Sequence, residues 1–311
     1  MQTILGSSGQ IAVELAKELQ RTMTHDLRLV SRNPHRVNDL DQLHAANLLD
    51  AGQTTAAMRG SEVVYFTAGL PADTKLWEQQ FPLMLRNALD AARATGAKFA
   101  YFDNTYMYPQ DQQVQTEETA FAPVGRKGKV RAQMAQMVLD EMQRGDIPVL
   151  IARAPEFYGP GRTQSFTNTL IIDNIAHGKN PRIPVADRYL RSLIWTPDAS
   201  RALAALANTD DAYGQTWHLP IDQHRLTYQQ FTQLADQVFG HKSKPVILPR
   251  WALQAAGLFL PQVRELHELL PRYAADNIFD SSKFASRFPD FTVTTYRQGL
   301  EIIREEKRRG I

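Results

Sequence analysis

The sequence contains no cysteine. Disulfides, thiolate metal sites and cysteine nucleophiles are excluded together, and a thiol-free chain fits a reducing compartment, so a cytoplasmic location is expected. Long apolar runs are missing as well. Stretches such as Val63–Leu70 fall far short of the ~20 residues that a bilayer span requires, and no charged stretch with an apolar core and cleavage site opens the chain. Neither membrane insertion nor secretion is expected, and no membrane partner. Charge of one sign is also lacking: a net charge of +2 from interleaved acids and bases leaves no footprint for nucleic acid. The locally basic segments Arg126–Arg131 and Lys307–Arg309 read as surface or ligand patches. Fixed-period repeats, low-complexity tracts, H-E-x-x-H and G-x-S-x-G are all absent, and the eight histidines lie without ligand spacing. Solenoid, hydrolase and metalloenzyme readings fall away, and no metal site is expected.

What is present points to an α/β chain. At 311 residues it is long for one compact core, so a large domain with a smaller appended one is expected. The first half alternates short apolar runs with longer amphipathic ones, the pattern of β-α units feeding a parallel sheet. Strands are predicted at Thr3–Leu5, Leu27–Val30, Val63–Thr67, Phe99–Phe102 and Val149–Ala152, each brief and apolar as a strand buried on both faces should be. Covering helices are predicted at Ile11–Leu19, Leu83–Ala94 and Ala132–Met142. After about Pro155 the rhythm changes to Gly-Pro turns, a helix near Phe166–Ile175 and a proline-punctuated C-terminal third.

The run Thr3-Ile4-Leu5-Gly6-Ser7-Ser8-Gly9-Gln10-Ile11-Ala12 packs a strand, a glycine turn and a helix start into ten residues. Gly6 permits the turn, Gly9 lets the backbone approach a pyrophosphate, and Ala12 lets helix and strand pack closely. Such turns also arise for purely structural reasons; its place within repeated β-α units favours dinucleotide binding by Gly6, Ser7, Ser8, Gly9, Gln10 and Ile11. The second strand ends Val30-Ser31-Arg32-Asn33, with no acid until Asp39. A carboxylate there would hold a free ribose hydroxyl, whereas an arginine suits a 2′-phosphate, so Ser31 and Arg32 favour NADP(H), with NAD(H) as the alternative. Arg32 as a plain solvated loop residue is the competing reading. Asn47 and Leu48 are added to the expected cofactor contacts.

Further segments resemble the extended short-chain dehydrogenases grouped as the NAD-dependent epimerase/dehydratase family. Phe66-Thr67-Ala68-Gly69 sits where that family lines the cofactor after its fourth strand. Asn87-Ala88-Leu89-Asp90-Ala91-Ala92 resembles its N-L-L-E-A-A helix, and Arg153–Gly161 its R-P-x-N-x-Y-G-P-G segment. Leu193–Ala199 is similar to its F-V-H-V-x-D-V stretch and Asp280-Ser281-Ser282-Lys283 to its D-x-S-K. The resemblance implies a Rossmann-type doubly wound parallel sheet with a smaller C-terminal substrate lobe. Residues 1–165 would form the NAD(P)-binding domain and 166–311 mainly the lobe, with segments near 193–207 and 217–219 returning to the Rossmann domain. It further implies cofactor contacts at Thr67, Ala68 and Gly69, substrate contacts at Tyr158 and Trp195, and a small-molecule substrate, sugar nucleotides being the family's commonest. A homodimer through Leu83–Ala94 and Ala132–Met142 is the corresponding assembly.

The active-site signature departs from that family. Members carry a serine or threonine in S-S-x-x-V-Y-G and a Y-x-x-x-K on the next helix, whose lysine lowers the tyrosine's pKa for proton exchange. Here Asn104 takes the serine's place, Lys127 the tyrosine's and Arg131 the lysine's, and Phe81 stands where an early helix often supplies an asparagine. Tyr106 falls two residues after the serine position, the slot from which dehydratases of the family present an acid. Tyr106 is therefore the candidate general acid/base, with Asn104, Lys127 and Arg131 beside it, and Arg131 holding cofactor ribose hydroxyls. Packing of Tyr106 at the sheet edge is the bland alternative. Two readings stay open: an NAD(P)-dependent oxidoreductase, epimerase or dehydratase acting on a small polar substrate, and a non-catalytic NADP(H)-binding sensor.

Overall fold

The computed structural model describes residues 1–161, 163 and 165–310, with the backbone alone for Pro261 and Gln262. The chain forms two compact units: Met1–Met107 with Arg126–Ala154 and Ala199–Leu219, and Tyr108–Gly125 with Pro155–Asp198 and Pro220–Ile311.

The first unit is built on a seven-stranded sheet of β1 (Gln2–Leu5), β2 (Leu27–Ser31), β3 (Gln42–Ala45), β4 (Val63–Phe66), β5 (Lys98–Asp103), β6 (Val149–Arg153) and the strand Thr216–His218. All its pairings are parallel. Spatial order runs from Thr216–His218 through β6, β5, β4, β1 and β2 to β3, so the direction of winding reverses between β1 and β4. Loops leaving the C-terminal ends of those two strands diverge, and an opening for a ligand follows from the topology. β1, β4 and β6 are buried along their whole length, which is why they read as apolar runs rather than alternating ones.

Four helices of this unit matter for the site: α1 (Gln10–Thr22), α2 (Ala51–Met58), α3 (Thr74–Thr95) and α4 (Gly125–Arg144). α3 opens on the Asp73 side chain, which accepts from the Leu76 amide at 2.9 Å, and closes on Gly96 in the left-handed conformation, φ 70°. Both α3 and α4 begin earlier than the predicted helices Leu83–Ala94 and Ala132–Met142. Their polar first turns place Thr74, Trp77 and Lys127 on helix rather than loop. The core joins Leu5, Phe66, Leu85, Phe99, Met134 and Val138 between sheet and helices. β3 was absent from the sequence expectation; it lies at the sheet edge, mostly exposed.

The second unit pairs short strands, Glu156–Tyr158 with Leu193–Trp195 in parallel and Arg182–Pro184 with Val246–Leu248. Helices Tyr228–Phe239 and Tyr296–Arg308 each open on a capping box, Thr227 with Gln230 and Thr295 with Gln298. Between Phe166 and His177 the helical expectation is met by a wide π turn, Thr167–Ile172, running into Asp173–Ala176. Tyr158, Trp195, Phe231 and Tyr296 form an aromatic core, with Tyr158 and Trp195 ring centres 5.1 Å apart. Gly299 packs against both: a Cβ there would lie 2.9 Å from the Tyr158 ring and 3.0 Å from that of Trp195.

Beside this core lies a buried polar knot. Glu156 accepts from Arg191 at 2.8 Å, from the Tyr228 hydroxyl at 2.8 Å and from the Tyr273 hydroxyl at 2.9 Å. The Arg191 guanidinium also lies 4.7 Å from the Tyr273 ring centre and donates to the Arg272 carbonyl at 2.6 Å. Burial alone would push the Glu156 carboxyl up, but Arg191 and Arg272 outweigh it and hold the group below the usual carboxylate range. A group whose folded pKa is depressed contributes stability above its unfolded pKa, about 4.3, and loses it as pH falls through the folded value. Glu156→Gln should lower stability at pH 7 and flatten the acid limb of a urea-unfolding series taken from neutral to acid pH. An acid limb as steep as the wild type's would contradict this account of the knot.

Candidate functional site

The glycine turn is shaped by contacts to its neighbours. Gly6 has φ 89°, and a Cβ on it would come within 2.4 Å of Ala68 Cα, so no other residue fits between β1 and the loop after β4. The amides of Gly6 and Ser7 donate to the Val30 carbonyl at 2.9 and 3.0 Å, pinning the turn to β2. Thr67 is tied to the Leu5 carbonyl by both its amide and its hydroxyl, each at 3.0 Å. At the start of α1, Gly9 brings no side-chain acceptor to the first turn, and that turn holds no acid. The first amides and the helix dipole therefore present an anion-binding end flanked by Gln10 and Ile11. Ser7 Oγ is buried without a hydrogen-bond partner. The Ser8 hydroxyl donates to Ser31 Oγ at 3.1 Å, which draws the end of β2 against the turn. Arg32 follows, exposed.

The other expected cofactor residues occupy two loops. Gly69 is exposed after β4. Asn47 is exposed, its amide donating to Gln53 Oε1 at 2.9 Å and its Oδ1 accepting from Leu49, while the Leu48 side chain sits in the core. The Leu48 carbonyl accepts from Asn87 Nδ2 at 2.9 Å, so the asparagine of the N-A-L-D-A-A segment in α3 tethers this loop from within.

The four expected catalytic residues are gathered at the C-terminal end of β5 and the first turns of α4. Asn104 Oδ1 accepts from the Tyr106 amide at 3.0 Å, fixing the turn after β5. The Tyr106 ring, half-buried, stacks on Trp77 with centres 6.1 Å apart and planes 13° from parallel. Lys127, expected as part of a basic helix start, is buried at 2% exposure; its Nζ donates to Thr74 Oγ1 at 2.9 Å and lies 5.9 Å from the Trp77 ring centre. Arg131 is buried as well. Its Nη2 is 3.1 Å from Asp103 Oδ1, its guanidinium lies 5.4 Å from the Phe81 ring centre, and its Nε has no hydrogen-bond partner.

Asp103 itself went unnoticed in the sequence. Its carboxylate, wholly buried, also takes Arg153 Nε at 3.2 Å on the other oxygen and the Tyr101 hydroxyl at 3.3 Å. Burial pushes the Tyr101 phenol up against the pull of Arg131, which keeps it neutral and a donor. Two buried guanidiniums thus share this one carboxylate. The available signal was positional: β5 ends Tyr-Phe-Asp, β6 ends Ile-Ala-Arg, and the sheet register sets Asp103 beside Arg153. Trp77 and Thr74 were missed because they precede Leu83, where the helix was predicted to begin, although Trp77 and Phe81 carry its buried stripe toward the N-terminus. Tyr158 and Trp195, the expected substrate contacts, are placed in the aromatic core of the second unit at 1% and 4% exposure. Among the described residues no cluster of three or more His, Asp or Glu could hold a metal, and no helix is long and apolar enough to cross a membrane.

A seven-stranded parallel sheet with a reversal beside a glycine turn defines a Rossmann-type nucleotide-binding fold. The model of the NAD dependent epimerase/dehydratase family matches residues 3–219, and the chain belongs to that family. Solved structures agree in fold over the whole chain. The UDP-glucuronic acid 4-epimerase of Bacillus cereus, in complex with NAD, superposes with a TM-score of 0.79 at 16% identity, covering 99% of both chains. MoeE5 in complex with UDP-glucuronic acid and NAD gives 0.77 at 19%, covering all of this chain and 99% of its own. The UDP-glucose 4-epimerase of Thermotoga maritima, with UDP-glucose, gives 0.79 at 15% with the same coverage. No curated protein sequence matches.

Removing the Asp103 charge should be costly, because it takes from two buried guanidiniums the carboxylate they share. Asp103→Asn is expected to lose on the order of 3–5 kcal/mol of stability, and Asp103→Asn with Arg131→Met should recover part of it. Denaturant midpoints of the two variants check this; equal losses would show that Arg131 does not depend on Asp103.

Proposed function

We propose that this chain is an NADP(H)-preferring member of its family, a dinucleotide-dependent oxidoreductase or epimerase-type enzyme acting on a small polar substrate in the cytoplasm. The carrying observation is the anion cradle at β1–α1: Gly6 pressed on Ala68, an uncapped helix end free of acids, and the unpartnered Ser7 Oγ beside it. These features fit a pyrophosphate, and Ser31 with Arg32 fits a 2′-phosphate better than a free ribose hydroxyl. Two of the structures compared above, the Bacillus cereus epimerase and MoeE5, were solved with NAD, so binding of the dinucleotide as such has more support than the choice between its two forms.

NADPH should bind more tightly than NADH, with Arg32 carrying on the order of 1–3 kcal/mol, roughly ten- to a hundredfold. Titration of both cofactors against wild type and Arg32→Ala tests it. Equal affinities in the wild type, or an unaltered preference in the variant, would remove the arginine from the account.

When bound, the nicotinamide supplies hydride exchange; the protein has to supply the proton. Lys127 and Arg131, in the relay positions, are turned onto Thr74 and Asp103, whereas Tyr106 is half-buried on the Trp77 face. We assign proton exchange with substrate to Tyr106, with Trp77 and the Asn104 turn holding its ring in place and the Arg131 Nε–H left to donate to a cofactor hydroxyl. Once turnover is found with NADP(H) and candidate sugar nucleotides, ketones or aldehydes, Tyr106→Phe should lower kcat by about a hundredfold and leave cofactor affinity nearly unchanged. Full activity in Tyr106→Phe rules the role out.

A second reading rests on the same lock: a protein that has spent both relay positions on internal contacts suits a non-catalytic NADP(H) sensor. Tight cofactor binding without turnover across that substrate panel would favour it. A homodimer through the outer faces of α3 and α4, where Leu83 is 44% exposed, belongs to either reading.

A further inference from the structure

The helix Arg250–Phe259 wears its apolar face outward. Trp251 is 72% exposed, Leu258 78% and Phe259 83%, and with Ala255 they line one stripe at helical spacing. Its inner side is the small one: Gly257 is buried so tightly that a Cβ would lie 2.3 Å from the His267 ring, and His267 Nε2 is 3.0 Å from the Leu253 carbonyl. Leu260 continues the stripe at 51%, and Val246 and Ile247, on the strand joined to the helix by Pro249, are 46% and 37% exposed. Isolated exposed apolar residues need no account, but a contiguous set with a tryptophan and a phenylalanine among the most exposed does.

Along the chain from the end of the preceding helix to Arg264 the charges are of one sign; Glu268 lies beyond, next to the His267 that packs under the helix. From residue 237 to 264 there are four basic residues, Lys242, Lys244, Arg250 and Arg264, and no acid; all four are exposed. Arg182, also exposed, sits beside Val246 in the strand register. Of the flanking acids, Asp236 is turned onto Ser243, accepting from its amide at 2.9 Å and its hydroxyl at 3.0 Å, and Glu265 follows the last cation.

We infer that this helix is a peripheral membrane-docking element, seating Trp251, Leu258, Phe259 and Leu260 in the interfacial region of an anionic bilayer while the surrounding lysines and arginines meet the headgroups. An outward apolar stripe with aromatic and leucine side chains and a cationic border is what an interfacial helix requires. The cationic border also decides against a second copy of the chain, because a twofold contact on this face would set the same positive rim against itself. The sequence had suggested no membrane partner, since the segment is far too short to span and its outward orientation is visible only in the fold.

The test uses the full chain with vesicles of phosphatidylcholine alone and of phosphatidylcholine containing roughly a third phosphatidylglycerol. Trp77, Trp195 and Trp217 are at most 9% exposed, so a blue shift of tryptophan emission on binding reports Trp251. Expected are co-sedimentation with the anionic vesicles, a blue shift, and weakening by salt. Leu258→Glu with Phe259→Glu should reduce the partition coefficient at least about tenfold, and Lys242→Glu with Lys244→Glu by about fivefold or more, with far-UV spectra and NADPH affinity unchanged. Three outcomes overturn the inference: no binding to either vesicle, equal binding to both, or unaltered binding by the apolar-face variant. Concentration-dependent dimers, or complexes with an acidic protein, that the Leu258→Glu/Phe259→Glu variant abolishes would also overturn it if vesicles are not bound.

Discussion

The C-terminal edge of the first unit's sheet hangs on one carboxylate. Asp103 is the last residue of β5, and it takes a guanidinium on each oxygen, from Arg153 at the end of β6 and from Arg131 on α4. That pair of contacts fixes the spacing of two strands and the seating of the helix over them. It also determines what Arg131 can do: one nitrogen is consumed by Asp103, the flat face rests near Phe81, and Nε alone is left unsatisfied. A buried ion pair is weak evidence for stability and better evidence for a single arrangement, since its partners tolerate no other neighbour. Everything placed by α4, including Lys127 beneath Trp77, inherits that arrangement.

Legibility in the sequence followed burial. β1, β4 and β6 lie covered on both faces, so their residues had to be apolar and their runs were plain to read. β3 was not readable, because an edge strand of Gln42, Leu43, His44 and Ala45 with exposed side chains carries no apolar pattern. The same physics hid the first turns of α3 and α4. Thr74 and Trp77 were not singled out there, whereas Lys127 was named but read as part of a basic helix start rather than as a buried side chain. The glycine turn was legible in full, since a backbone pressed to 2.4 Å of Ala68 admits a single residue type. Tyr158 and Trp195 show the converse: motif position singled them out, while aromatic residues of that size fill a core as readily as they line a site.

The two units spend polar groups differently. In the first, the Asp103 carboxylate is shared by Arg131 and Arg153, one on each oxygen. In the second, Glu156 has one arginine and two tyrosine hydroxyls closing around it, a knot turned wholly inward. Each leaves one buried arginine Nε without a hydrogen-bond partner, on Arg131 in the first and on Arg191 in the second.

Gly299 carries a consequence for how this chain can drift. A glycine within a helix costs up to roughly 1 kcal/mol relative to alanine, so mutation to alanine would ordinarily be welcome there. Here the added methyl would strike Tyr158 and Trp195 at once. Alanine becomes acceptable only in a background where one of those rings has already shrunk, and a ring that shrinks first leaves a void that glycine cannot fill. The three positions are epistatic, and each order of substitution passes through a less stable intermediate. Such a triad changes together or stays as it is.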